Sequence, residues 1–458
     1  MDKKAFYKDM MHVALPVTIQ SLLQAILSLI DQIMIGGLGS ASIAGVGLAT
    51  KFISLFTVTM TAIVTVAGIM IAQYQGKQSE EGVSDSFFSN LYFALDLALL
   101  AFFLAVTIPQ KIMGIYTEDV ATIEQAAIYL KIMALGFIPQ TITLMLATVL
   151  RNVAAAKVAM IASGISVVSN TILNYLLIFG VGIFPKMDVA GAALATSLAR
   201  IIELIVIYSM FLAIKKKKRL VFKIQFHFEK SFIKQIGRVL APILVCEFLW
   251  SLGENVYAII YGHIGTEACA AMTLTYPLQT IVIGALSGVA ASAGIIIGKS
   301  LGCSENEVAY NNSKEFIKIT IFLALIISVV VALLAPYYVK LFNVSEHTRK
   351  ITVYILYSYV LVFIAKVINM VLGGGILRSG GQTKYTMWMD LIGTWCIGVP
   401  VGYIAAYFLK LPVYYVYFLL SLEEYIRVLL GIVLFKSKRW MVNITEDQQI
   451  CDEIKILI

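Results

Sequence analysis

Gln20-Ser-Leu-Leu-Gln24-Ala-Ile-Leu-Ser28-Leu-Ile-Asp31-Gln-Ile-Met-Ile-Gly36-Gly-Leu-Gly39 reads as a membrane-spanning helix with a carboxylate well inside it. A carboxylate near the centre of a bilayer costs about 2.5–3.5 kcal/mol on insertion scales, so it faces the protein interior and serves a purpose. Gln20, Gln24, Ser28 and Asp31 recur at helical spacings and share one face. That face points to a polar interior rather than to lipid. From these residues alone two readings stand: Asp31 clamps a neighbouring helix, or it holds a ligand.

The rest of the 458-residue chain is of the same character. It is 60% hydrophobic and 14% charged, with a mean hydropathy of +0.88. Soluble proteins carry roughly 25% charged residues, so this composition excludes an ordinary soluble domain. Apolar runs long enough to span, about 20 residues each, recur to the end and predict an all-α polytopic membrane protein. The first run, from Val13 to Ile35, is too long for a signal peptide and lacks a small-residue cleavage site, so it is expected to be retained. The five cysteines (Cys246, Cys269, Cys303, Cys396, Cys451) show no metal-ligand or disulfide spacing.

Twelve spans are predicted, at roughly 13–35, 44–72, 87–109, 125–148, 159–184, 189–214, 237–262, 268–298, 315–338, 351–376, 386–409 and 413–435. The net charge of +8 is concentrated between spans, above all in Lys215-Lys-Lys-Lys-Arg219 and the basic residues that follow it. This is a positive-inside signal rather than a nucleic-acid surface, and it places both termini in the cytoplasm. Arg151 and Arg378 are counted with the inside loops on the same ground. The expected organisation is an N-lobe at 1–214, a cytoplasmic basic linker at 215–236, a C-lobe at 237–435 and a cytoplasmic tail at 436–458.

The two halves repeat. Displaced by 226 positions, Pro16 meets Pro242, and Gly36, Gly39, Gly68 and Gly76 meet Gly262, Gly265, Gly294 and Gly302. One position further on, Leu150-Arg151 meets Leu377-Arg378 and Lys157 meets Lys384. Six helices per repeat is an even number, so both lobes enter the membrane in the same sense. A pseudo-two-fold axis along the membrane normal is then expected, as in parallel-repeat secondary transporters.

Further polar residues lie inside the spans. Asn170 and Asn174 are four apart on helix 5, and Thr196, Arg200 and Glu203 follow on helix 6. With Asp31 they supply hard oxygen ligands for a small cation or hydrogen-bond partners for a titrating carboxyl. Interhelical hydrogen bonds are the plainer role for the asparagines, and a mutual ion pair for Arg200 and Glu203. On helix 7, Glu247, Trp250 and Glu254 are spaced to form one stripe suited to an organic cation. Lys366 on helix 10 could instead pair with Glu247 or with Asp390 on helix 11. Walker A, H-E-x-x-H and G-x-S-x-G motifs are absent, so an enzyme is not expected, nor an enzymatic cofactor.

Four stretches, taken together, resemble the multidrug and toxic compound extrusion (MATE) family. They are Ala14-Leu-Pro with Asp31 to Gly39, Asn170-x-x-x-Asn174-Tyr-Leu-Leu-Ile-Phe-Gly180, Val189-Ala-Gly-Ala-Ala-Leu-Ala-Thr196 and Leu377-Arg-Ser-Gly-Gly-Gln-Thr-Lys384. The resemblance implies two six-helix lobes forming a V in the cell membrane. It implies export of cationic, amphiphilic small molecules in exchange for Na⁺ or H⁺. Asp31 takes the place of the coupling acid, with Asn170, Asn174 and Thr196 around it, where Na⁺ would bind. The chain departs from the family at Asn174, where one branch has a second acid, and at Gln382, where Gly-Asp-Thr is more usual. Trp250 falls where another branch has a helix-7 acid, and Glu247 stands in for it. A monomer in the bilayer is expected, without nucleic acid. A lipid-linked-glycan flippase on the same fold is the alternative, but it would want a strongly cationic interior.

Overall fold

With no water in the hydrocarbon region, each spanning segment must satisfy its backbone internally, and helices do so. The computed structural model describes residues 3–36, 38, 40–218, 230–342 and 344–445. Cys451, residues 219–229 of the basic linker and residues 446–458 of the tail lie outside the described residues.

Among the described residues, eleven helices are long and apolar enough to cross a membrane. In chain order they are α1 (Lys3–Ile35), α2 (Ser40–Gly76), α3 (Glu80–Thr107), α4 (Val120–Asn152), α5 (Ala156–Phe179), α6 (Asp188–Lys218), α7 (Lys230–Ile264), α8 (Thr266–Gly302), α9 (Asn306–Val339), α10 (Glu346–Gly380) and α11 (Thr383–Phe408). The predicted twelfth span is two helices, Val413–Leu420 and Glu423–Ser437, joined by a turn. We call the pair α12. The break has a local cause: Ser421, Leu422 and the paired acids Glu423 and Glu424 interrupt the apolar run, and the acids open the second helix, where its dipole favours them. α10 and α11 contain π-helical stretches at Met370–Ile376 and Ile392–Gly398. Such stretches widen the helix and occur often at functional sites.

Contacts group the chain into two units. One holds Leu15–Ile71 and Ser79–Ile236; the other holds Met1–Ala14, Ala72–Gln78 and Gly237–Ile458. The first unit corresponds to α3–α6 with most of α1 and α2, and the second to α7–α12 with the remaining ends of α1 and α2.

Within the first unit, small residues decide how closely α5 and α6 approach. A Cβ at Gly191 would lie 2.6 Å from the Leu177 carbonyl oxygen, so the Val189-Ala-Gly-Ala-Ala stretch admits backbone-on-backbone packing. Gly180, at φ 70°, caps α5 in the left-handed region. In the second unit Gly393 and Gly398 on α11 serve a different end. A Cβ at Gly393 would press on the Arg427 guanidinium, and one at Gly398 would overlap the Tyr257 hydroxyl and the Glu423 carboxylate. These glycines make room for charges.

Candidate functional site

The opening stretch is delivered to a cavity. Gln24, Ser28 and Asp31 of α1, Ser163, Ser166 and Asn170 of α5, and Thr196, Arg200 and Glu203 of α6 line a space of about 200 Å³ within the first unit. Two hydrogen-bond chains run along its walls. In one, Asn174 Nδ2 donates to Asp31 Oδ1 (2.6 Å) and to Asn170 Oδ1 (2.8 Å), and Asn170 Nδ2 donates to Thr196 Oγ (3.1 Å). In the other, Arg151 donates to Gln20 Oε1 (2.8 Å), Gln20 to Ser163 Oγ (2.8 Å) and Ser163 to Glu203 Oε1 (2.7 Å). Arg200 closes the second chain on Glu203 at 3.3 Å.

Asp31, Asn170, Asn174 and Thr196 are thus brought together, and Arg200 pairs with Glu203. Both asparagines are 1% exposed. Among the described residues Asn174 Oδ1 has no hydrogen-bond partner, although buried polar atoms are rarely left so. The carboxylate of Asp31 and this orphaned amide oxygen are acceptors without enough donors, which is the chemistry of a site for a cation or a proton.

The second unit holds a larger set of charges, with different pairings from those expected. Glu247 pairs with Arg378 at 3.3 Å rather than with Lys366. Asp390 lies 3.9 Å from Arg378 and 3.5 Å from Arg427, and accepts a hydrogen bond from Cys246 Sγ. Lys366 is 3.9 Å from Glu424, and Arg427 also contacts Glu423, Glu424 and the Thr394 hydroxyl. Tyr257 donates to Glu423 at 2.8 Å, and Asn369 to Glu424 at 2.8 Å. Glu254 is half-buried within electrostatic reach of Lys366. Trp250 is 45% exposed and does not join the acids.

Trp250→Ala is therefore expected to change stability by no more than about 0.5 kcal/mol and to leave transport unaltered. Thermal unfolding in detergent and dye efflux, side by side with the parent, check both.

Arg151 and Arg378, counted with the loops on sequence, are turned inward instead. They are equivalent residues of the two repeats. Arg151 reaches back to Gln20 of α1 in one unit, and Arg378 to Cys246 and Glu247 of α7 in the other. A basic residue at the end of a span reads as a topology marker, and which way its side chain turns is not written in its neighbours. Glu423, Glu424 and Arg427 were missed altogether. The available signal was three charges inside the last predicted span, each 7% exposed or less in the structure.

A duplicated, polytopic helical protein with an acid-lined cavity in one repeat and a charge network in the other is organised as a membrane transporter. Comparison with known proteins gives the family. The MatE family model matches residues 16–176 and again residues 242–404, starting 226 positions apart as the two repeats do. YisQ of Bacillus subtilis (strain 168), an uncharacterized transporter, is 23% identical over 435 residues and 93% of each chain. The probable multidrug resistance protein NorM of Bacillus cereus is 27% identical over 402 residues, 85% of this chain and 86% of that one. NorM of Thermotoga maritima is 22% identical over 442 residues, 94% and 93% of the two chains. A MATE crystal structure in complex with MaL6 shares the fold at a TM-score of 0.87 and 19% identity, over 94% of this chain and 96% of that one. An outward-facing multidrug resistance MATE transporter of the MOP superfamily matches at 0.86 over the same shares, also at 19% identity. The chain belongs to the MatE family.

Proposed function

We propose that this transporter exports cationic, amphiphilic small molecules across the cell membrane in exchange for Na⁺ or H⁺, with Asp31 as the acid that holds the coupling cation. The observation that carries the reading is the cavity in which Asp31 shares its walls with Asn170, Thr196 and the Arg200–Glu203 pair. The names of the NorM relatives supply the drug-like cargo.

Coupling follows from charge. With Asp31 ionised the cavity is electrostatically open to a cation; with Asp31 protonated or bearing Na⁺ that attraction is cancelled. Linkage then requires that the coupling ion and a cationic drug weaken each other's binding. Asn174 orients the carboxylate, and its free amide oxygen is an additional ligand for Na⁺ or an acceptor for a protonated Asp31. Thr196, through Asn170, fixes Asn174 in turn.

The charges of the second unit number four acids (Glu247, Asp390, Glu423, Glu424) against three bases (Lys366, Arg378, Arg427) in the contacts above. An acid in excess favours a cation over the pyrophosphate of a lipid-linked glycan. We assign this network to bracing α7, α10, α11 and α12 as one body, with Glu254 beside it as the acid for cationic cargo. The lobes are 1–214 and 237–435, joined by the cytoplasmic linker 215–236. Both termini, including the tail 436–458, are cytoplasmic, and the working form is a monomer.

Cells expressing the chain should accumulate less ethidium or norfloxacin than cells with an empty vector. Equal accumulation at verified expression would contradict the assignment of drug-like cargo.

A further inference from the structure

Apart from Arg378, the Leu377–Lys384 stretch takes no part in the sites above, nor does the end of α2, yet the two meet in a long-range contact within the second unit. Gln73 is fully buried near the end of α2. Its Nε2 donates to the carbonyls of Ser379 (2.8 Å) and Val442 (3.0 Å), and its Oε1 accepts from the amide of Ile444 (2.7 Å). Four residues on, Lys77 donates to the Thr445 carbonyl at 2.7 Å, and Asn443 donates to Ser304 at 2.9 Å beyond the end of α8. The segment 440–445 is seated as well as bonded. Trp440 is 1% exposed and stacks on Phe435, and Gly380 leaves the space that the Trp440 carbonyl fills.

This segment closes over a crossing that the repeat makes reciprocal. A Cβ at Gly76 would run into the Lys299 carbonyl, and a Cβ at Gly302 into the Gln73 carbonyl. Gly76 and Gly302 are equivalent positions, as are Gln73 and Lys299. The ends of α2 and α8 therefore touch backbone to backbone.

We propose that Gln73 is a positioning residue for the transport cycle. With residues 440–445 it latches the ends of α2 and α8, and each cycle must open and reclose the latch. The chemistry suits a reversible closure. Each buried hydrogen bond contributes only modestly on balance when closed, and water can replace it when the end opens. The backbone-to-backbone fit at the two glycines fixes where the latch recloses.

The proposal rests on the transport reading proposed above, so the test begins with a measurement that needs neither gradient nor substrate. A Cβ at position 298 would lie 2.9 Å from that of Ala72; once the pair eases apart to the roughly 3.8 Å of a disulfide, Ala72→Cys with Gly298→Cys, native cysteines replaced, should crosslink in the purified full chain. Gln73→Ala should slow the crosslinking on the order of tenfold or more. Gln73→Glu, which keeps the acceptor for Ile444 but sets a carboxylate oxygen against the Ser379 and Val442 carbonyls, should slow it at least as much. Should Gln73→Ala fail to fold, Lys77→Ala at the exposed rim carries the same test with a smaller slowing. An unchanged rate in the folded variants would overturn the latch. Complete crosslinking should also arrest ethidium efflux, with thiol reduction restoring it. Efflux undiminished by the crosslink would show that the latch does not open in the cycle, whatever the fate of Asp31.

Discussion

Asp31→Asn should abolish efflux of ethidium or norfloxacin while leaving the protein folded and in the membrane. The asparagine keeps the size of the side chain and can still accept from Asn174, whose amide now sits 2.6 Å from Asp31 Oδ1. What it removes is the charge that a coupling cation answers. If coupling accelerates transport by even two orders of magnitude, the loss exceeds about 2.7 kcal/mol of transition-state stabilisation, which drug accumulation assays resolve easily. Folding should hold, because Asp31 is only partly buried and its hydrogen bonds are with a neutral amide. Efflux at the parent's rate would reduce Asp31 to a clamp between α1 and α5.

Arg427→Leu should cause the largest loss of stability of any substitution considered, about 3–5 kcal/mol. Its guanidinium contacts Asp390, Glu423 and Glu424 and donates to the Thr394 hydroxyl, with only 8% of its side chain exposed. Removing it leaves three acids in a low-dielectric interior with Arg378 and Lys366 alone to compensate. Lysine is a poor substitute, since a single ammonium cannot replace a planar fork that reaches several partners. Thermal unfolding in detergent should show a marked drop for Arg427→Leu and an intermediate one for Arg427→Lys. An unchanged transition in both would mean that these acids are neutralised by something other than the arginine.

What could be read from the sequence depended on whether a feature declares itself locally. An acid in an apolar run is conspicuous, so Asp31 and its stripe of Gln24 and Ser28 point to a polar interior from the sequence alone. The duplication is equally legible, because a proline and four glycines in register are improbable in so apolar a chain, and one matched pair, Gly76 and Gly302, sits at a crossing where a Cβ would collide with backbone. Trp250 was placed with Glu247 and Glu254 by spacing alone. A step of three residues leaves a side chain roughly 60° from its neighbour's direction on a helix of 3.6 residues per turn, and here Trp250 is left 45% exposed. Arg378 illustrates the other limit. Its position at the end of α10 is a sequence property, but its pairing with Glu247 depends on the packing of α7 against α10, which no local pattern encodes. The segment 440–445 is the extreme case, since its partners in α2 lie more than 360 residues away.

The most direct test of the coupling claim is ethidium transport by purified protein in proteoliposomes, with a Na⁺ gradient and a proton gradient imposed separately. One of the two gradients, directed opposite to the drug, should accelerate transport by the parent chain, and Asp31→Asn should remove that acceleration. Transport that ignores both gradients, or an Asp31→Asn protein that still responds to the same gradient, would contradict the assignment of Asp31 as the coupling acid.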